Sequence, residues 1–321
     1  MDGLAVIDPD TFEAPERIDH ACRTLGFFAV PLPSELRPLR DEVMGCAAEF
    51  FALPDAEKER VSMASAGPAW RGWFPLGGEL TSGVPDRKEG YYYGAELPTD
   101  PRPMHGPNLW PPRPERMAQL VTRWMAAMEV LGQRLLALMA TGLGLPADHF
   151  RQALTATPTP LFRIFRYPPH PEGDTGTWGV GEHTDYGLLT LLVTDGTPGL
   201  EVKGPTGWTP APADADLVIC NLGDMLDRVT GGRYRSTPHR VRNHAGHDRY
   251  SLPFFLDPGW DAEVRPLHFD DEWVTPLDSQ QRWDRANLRD LTGTYGDWLG
   301  AKVAKVFPDL AAEVRGQRDN V

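Results

Sequence analysis

The stretch Gly181-Glu-His-Thr-Asp-Tyr-Gly187 runs directly into Leu188-Leu-Thr-Leu-Leu-Val-Thr194, and its reading decides the fold. The second half is a short apolar run bounded by turn residues, the pattern of a buried strand. The first half sets His183 and Asp185 two positions apart, so in extended chain their side chains face the same way. An imidazole and a carboxylate thus leave one strand end together as two adjacent metal ligands, and a third must come from elsewhere in the chain. Two histidines and one carboxylate on one face leave coordination positions open, which suits non-haem iron(II) oxygen chemistry rather than closed tetrahedral zinc.

Outward from this stretch the β-rich pattern continues. Leu161–Tyr167, Leu200–Lys203, Leu217–Asn221, Met225–Val229 and Tyr250–Leu256 are short runs separated by turn residues, and together with Leu188–Thr194 they predict a sandwich or barrel. The front of the chain reads differently. Leu4–Ile7 is predicted as a strand, and Ser34 as the cap of a helix carrying Leu36, Leu39, Val43, Met44, Ala47, Phe50 and Phe51 up to Pro54. A longer helix is predicted from Pro114, with Met117, Leu120, Val121, Trp124, Met128, Leu131, Leu135 and Leu138 on one stripe, ending at Gly142–Pro146. That methionine-bearing stripe reads as core. Helical spacing returns over Arg282–Val306 through Trp283, Leu288, Leu291, Tyr295, Trp298 and Val303, and this segment is predicted to cover the sheet from outside. With no linker, repeat or low-complexity tract, the chain reads as one unit. Its parts are a mixed α/β front over 1–110, a supporting helix over 111–150, a β core over 155–275 and a helical tail over 276–321.

The third ligand is sought 54 residues beyond Asp185, at His239 in Tyr234-Arg-Ser-Thr-Pro-His-Arg-Val241. His244 and His247 compete, but they lie in the polar turn Asn243–Asp248, where solvated histidines are expected. Ten residues past His239, Arg249-Tyr-Ser251 opens a strand and puts a guanidinium fork and a hydroxyl on one face, a pair suited to a carboxylate. On this pattern alone, a structural arginine paired with one of the 45 acidic residues is the better explanation of Arg249.

Composition narrows the function. Of 321 residues 41% are hydrophobic and 24% charged, so the chain can bury a large core, and a net charge of −13 argues against nucleic acid or an anionic membrane as partner. A small-molecule substrate is the default. Three cysteines, Cys22, Cys46 and Cys220, make neither a disulfide framework nor a thiolate zinc site, and the opening residues lack a basic and apolar leader pattern. A soluble, cytoplasmic protein is predicted. No heptad or interface stripe indicates an oligomeric state.

Taken together, His183-x-Asp185, His239 and Arg249-x-Ser251 stand in the order and spacing of a known family. The chain resembles the iron(II)/2-oxoglutarate-dependent dioxygenases of the isopenicillin N synthase-like group. Phe165-Arg-Tyr-Pro-Pro169, Asn221-Leu-Gly-Asp-Met225, Gly232–Val241, Ile18–Phe28 and Phe50–Pro54 extend the resemblance over nearly the whole chain. It implies a double-stranded β-helix, or jelly roll, with flanking helices. It further implies iron(II) on His183, Asp185 and His239, and 2-oxoglutarate with its distal carboxylate on Arg249 and Ser251 and a further contact from Tyr167. The reaction it implies couples O2 and oxidative decarboxylation of 2-oxoglutarate, to succinate and carbon dioxide, to hydroxylation or related C–H oxidation of a small molecule, typically in specialised metabolism. Two departures stand out: Phe165 occupies a position where plant-type members often carry Asn, and Gly231-Gly232 replaces a frequent Asn-Gly turn.

Rival readings are an oxidase of the same fold that does not use 2-oxoglutarate, as isopenicillin N synthase and aminocyclopropane carboxylate oxidase are, and a non-catalytic small-molecule receptor. For the substrate, Arg71, Tyr93 and Phe255 are candidate contacts. An arginine at that place would select a carboxylate-bearing substrate, whereas packing between the helical front and the sheet is the plainer role for the aromatic residues.

Overall fold

Five of the seven runs expected as strands pair antiparallel in the computed structural model, which describes residues 3–81, 83–100, 102–170, 176–269, 288 and 292–306. In chain order the strands are β1 (Phe27–Pro31), β2 (Gly72–Phe74), β3 (Leu80–Thr81), β4 (Val84–Pro85), β5 (Glu89–Gly94), β6 (Thr159–Tyr167), β7 (Val180–His183), β8 (Leu189–Thr194), β9 (Leu200–Gly204), β10 (Gly207–Pro210), β11 (Leu217–Leu222), β12 (His239–Val241) and β13 (Arg249–Asp257). A seven-stranded sheet runs β1-β11-β8-β13-β6-β5-β2, a four-stranded sheet runs β10-β9-β12-β7, and β3 pairs with β4. The two larger sheets are those of a jelly roll, and β1, β2 and β5 show that the front of the chain extends the larger one.

The helices are α1 (Ala14–Thr24), α2 (Arg37–Phe51), α3 (Asp55–Lys58), α4 (Met117–Gly142), α5 (His149–Ala153), α6 (Asp224–Val229) and α7 (Tyr295–Val306). The expected stripe of α4 is buried from Met117 to Leu135, and Leu138 is half-buried at its end. It lies on the seven-stranded sheet so closely that a Cβ at Gly132 would stand 2.8 Å from Leu256. Helices α1 and α2 pack on α4 in turn. No helix among the described residues is long and apolar enough to cross a membrane.

Three expectations about elements need correction, and a fourth falls only partly within the described residues. Met225–Val229 is part of helix α6, not a strand; a five-residue apolar run does not distinguish the two by period, and Asp224 and Asp227 favour a helix N-terminus there. Leu4–Ile7 forms only a single parallel bridge, Val6 to Ala29, before the Pro9 turn ends the pairing. Ser34 makes no capping hydrogen bond; it opens a 3-10 turn, and the helix proper starts at Arg37 with Pro38 in its first turn. The C-terminal helix is described only from Tyr295, and Trp283 and Leu291 lie outside the described residues.

Trp124 is fully buried in α4 against this sheet. Trp124→Ala is expected to lower unfolding free energy by about 3–5 kcal/mol, read by urea denaturation, through lost burial and the cavity left behind.

Candidate active site

Three side chains, two from adjacent strands of the four-stranded sheet and one from the loop that follows, meet at one point. His183 ends β7, His239 begins β12, and the register pairs them directly, which brings their ring centroids to 4.2 Å. Asp185 follows β7 by two residues, and its Oδ1 lies 3.8 Å from His183 Nε2 and 3.7 Å from His239 Nε2. One donor atom from each of the three falls within 4.8 Å of the others. His244 and His247 stand apart from this cluster.

The local hydrogen bonds fix which atoms face inward. His183 Nδ1 lies 2.9 Å from the Gly181 carbonyl and His239 Nδ1 lies 3.1 Å from the Thr237 carbonyl. A carbonyl only accepts, so Nδ1 carries the proton in both rings and Nε2 presents its lone pair. Asp185 Oδ2 accepts from Thr190 Oγ1 at 2.5 Å and from Asn221 Nδ2 at 2.6 Å, which leaves Oδ1 for the cluster. Thr190 and Asn221 are themselves cross-strand partners on β8 and β11. Burial, reinforced by His239 nearby, pushes the His183 imidazole down to about 3, so it stays neutral as a metal ligand must. Burial pushes the Asp185 carboxyl up, but positive charge on either imidazole when protonated and the hydrogen bonds from Thr190 and Asn221 outweigh it and hold the carboxyl below its usual range. Two imidazoles that present Nε2 and one oriented carboxylate fit a divalent ion with open positions.

The cluster opens onto a cavity walled by both larger sheets, with about 110 Å³ available to the centres of water molecules. On its far wall stand Arg249, Ser251 and Tyr167, all buried. Arg249 Nε donates to the Thr197 carbonyl at 3.1 Å, its guanidinium lies 5.0 Å from the Tyr167 ring centroid, and its Nη1 is buried with no hydrogen-bond partner among the described residues. Ser251 Oγ donates to Tyr167 Oη at 3.4 Å. Burial pushes the Arg249 pKa down against the opposing pull of Tyr167 and the more distant Asp195. A buried cation with a spare donor, flanked by two hydroxyls, fits a carboxylate from a bound molecule.

The expected substrate contacts separate. Phe255 lines the cavity. Tyr93 does not: it registers with Phe162, on the face of the sheet turned to α4, where its hydroxyl lies 3.2 Å from Met117 Sδ and its ring stacks on Tyr91. Arg71 is buried beside Gly94 and donates to the Met104 carbonyl at 2.8 Å, outside the cavity lining. Sequence reasoning thus points to the wrong arginine and the wrong parity of β5. Alternate residues counted back from Tyr167, namely Phe165, Arg163 and Leu161, line the cavity, so the period of two would have found Arg163. Asn221 was visible as a polar residue closing the apolar run Leu217–Cys220. Lys88, Glu79 and Asp257, also in the lining, had no sequence signal; burial raises the Asp257 carboxyl to about 7. At Phe165, where Asn is frequent in plant-type members, Lys88 Nζ lies 5.0 Å above the ring. Gly231 and Gly232 both hold positive φ, as the expected turn requires.

Comparison with known proteins agrees with this geometry. Residues 158–258 match the model of the 2OG-Fe(II) oxygenase superfamily, and residues 3–113 match that of the non-haem dioxygenase N-terminal region. A Dictyostelium discoideum protein described as a probable iron/ascorbate oxidoreductase is 39% identical, covering 93% of this chain and 90% of its own length. The chain belongs to the 2-oxoglutarate and iron(II)-dependent oxygenases. The 2-oxoglutarate-dependent dioxygenase tropC of Talaromyces stipitatus is 35% identical, with 78% of this chain and 82% of that protein covered. A full-length Neurospora crassa protein, solved as a crystal structure in complex with α-ketoglutarate, superposes with a TM-score of 0.78 at 26% identity, covering 94% of this chain and 97% of that one. The protein is thus an oxidoreductase of the jelly-roll fold whose cofactors are iron(II), 2-oxoglutarate and O2.

The backbone of Gly223 presses on Gly187: a Cβ at Gly223 would meet the Gly187 carbonyl oxygen at 2.2 Å. Asn221→Ala, which removes one of the two hydrogen bonds on Asp185, is expected to weaken metal affinity by about 10–100-fold. Gly223→Ala is expected to weaken it as well, by displacing the loop that carries Asp185. Anaerobic titration with Fe(II) or Co(II) measures both.

Proposed function

We propose that His183, Asp185 and His239 hold the iron(II), and that Arg249, Ser251 and Tyr167 seat the distal carboxylate of 2-oxoglutarate. In this reading the rest of the cavity places one C–H bond of a small molecule for oxidation, with hydroxylation as the default outcome. The observation that carries it is the buried, unpartnered Nη1 of Arg249, across the cavity from a three-ligand cluster. A charge left in that state costs several kcal/mol unless an anion meets it, so the site is built for one.

Bound iron supplies the activation of oxygen and the redox chemistry. The chain's own residues do the rest. His183 and His239 present Nε2, oriented by the Gly181 and Thr237 carbonyls, and Asp185 supplies the anionic charge, aimed by Thr190 and Asn221. Arg249 neutralises the co-substrate's far end, and the Tyr167 and Ser251 hydroxyls supply hydrogen bonds beside it. Apolar walls from Leu192, Leu200, Val241, Phe255, Leu299 and Val303 exclude water and accept the body of a substrate. The three cysteines are buried and free, in accord with the reducing cytoplasmic setting that we propose.

Anaerobic addition of 2-oxoglutarate to the Fe(II)-loaded protein is expected to produce the weak visible charge-transfer band of a chelated keto acid. His183→Ala should abolish it, and Arg249→Gln should raise the 2-oxoglutarate concentration needed for it by about 10–100-fold, the loss of charged hydrogen bonds. An iron-loaded wild-type protein without the band would overturn the assignment and favour an oxidase that works without 2-oxoglutarate. Turnover with succinate release, lost in Asp185→Ala, separates an enzyme from a receptor.

A further inference from the structure

Arg163 is a further, half-buried cation in the same cavity, and the roles above leave it unused. It sits on β6 four residues before Tyr167, about 13 Å along the strand from the residue that seats the co-substrate carboxylate. Its side chain is 17% exposed, and its guanidinium carbon lies 4.1 Å from the Tyr92 ring centroid and 4.8 Å from that of Phe255. The two rings favour a cation but accept no strong hydrogen bond.

Its hydrogen-bonding capacity is not met. Arg163 Nε is buried without an acceptor among the described residues, and Nη1 comes only to 3.8 Å of Glu79 Oε1, beyond hydrogen-bond length. Glu79 is engaged elsewhere: Oε1 accepts from the Tyr92 hydroxyl at 2.5 Å, and Oε2 lies 2.8 Å from Lys88 Nζ. Lys88 in turn is neutralised by Glu79 and by Asp86 at 2.5 Å, so it offers no free charge to a ligand. Arg163 is therefore the cation of this wall whose planar fork remains available, and the Phe255 ring and Leu161 beside it offer an apolar surface.

We infer that Arg163 binds a carboxylate of the oxidised substrate and selects for small acids with an apolar or aromatic body. The inference rests on the proposed co-substrate site, because 2-oxoglutarate must occupy Arg249 for Arg163 to be the remaining anion receptor. The chemistry is a planar guanidinium meeting a planar carboxylate, with Tyr92 and Phe255 holding the fork in place.

The test uses the full chain loaded anaerobically with Fe(II) and saturating 2-oxoglutarate, so that Arg249 is filled. Phenylacetate, 3-phenylpropionate and hexanoate are each titrated by calorimetry against their primary amides, which keep the shape and remove the charge. At least one acid is expected to bind tenfold or more tightly than its amide. Arg163→Gln should erase that preference while the charge-transfer band persists, and Arg163→Lys, which keeps the charge without the fork, should retain a reduced preference. The inference is overturned if no acid outbinds its amide in the wild type, or if the preference is undiminished in both variants. A missing band in the wild type is a separate result: it would sink the co-substrate assignment itself.

Discussion

The arrangement depends on how one carboxylate is held. Asp185 is nearly buried, and a bare carboxylate there would cost several kcal/mol. Thr190 and Asn221, neighbours across β8 and β11, donate to the same oxygen and turn the other toward the two imidazoles. Those imidazoles come from the opposite, four-stranded sheet. The three ligands thus come from the four-stranded sheet and the loop leaving it, while the seven-stranded sheet holds the Asp185 carboxylate in place through Thr190 and Asn221. Gly187 and Gly223 fit the same constraint: the backbone after Asp185 passes too close to Gly223 for any side chain.

A second constraint is the order of charges along β6 and β13. Alternate residues of both strands face the cavity, which sets Tyr167, Arg249 and Ser251 at one end and Arg163, Phe255 and Asp257 toward the other. One sheet face thus carries two separate anion-compatible positions, one without an ion pair and one with its fork unused. The chain's net charge of −13 does not describe this interior. The carboxylates nearest the cavity are spent on Lys88, on the metal position or on Tyr295, and the two guanidiniums are what a ligand meets.

Helix α7 closes the remaining side. Leu299 and Val303 reach the cavity, Trp298 Nε1 donates to the Tyr186 carbonyl at 3.3 Å, and Lys302 Nζ lies 5.4 Å from the Tyr186 ring centroid. This links the last described element to the loop that carries Asp185, so the apolar wall and the metal cluster share one support.

The sequence by itself determined that His183 stands beside Asp185 and Arg249 beside Ser251, because His-x-Asp and Arg-x-Ser place their side chains together by the local geometry of extended chain, whereas the pairing of β12 with β7 and of β13 with β6 brings His239 and Tyr167 to them. It also determined the β-rich centre and the long helix, whose periodicities are local properties. Tertiary structure decided the rest. Met225–Val229 became helix because its surroundings override a short run, Asn221 acquired its partner only when β11 paired with β8, and Tyr93 turned toward α4 because register sets which face a residue takes. Arg71 and Arg163 look alike in sequence. Only the folded chain shows that Arg71 bonds the Met104 carbonyl outside the cavity while Arg163 lines it with an unpartnered donor, since hydrogen-bond partners distant in sequence are chosen by packing.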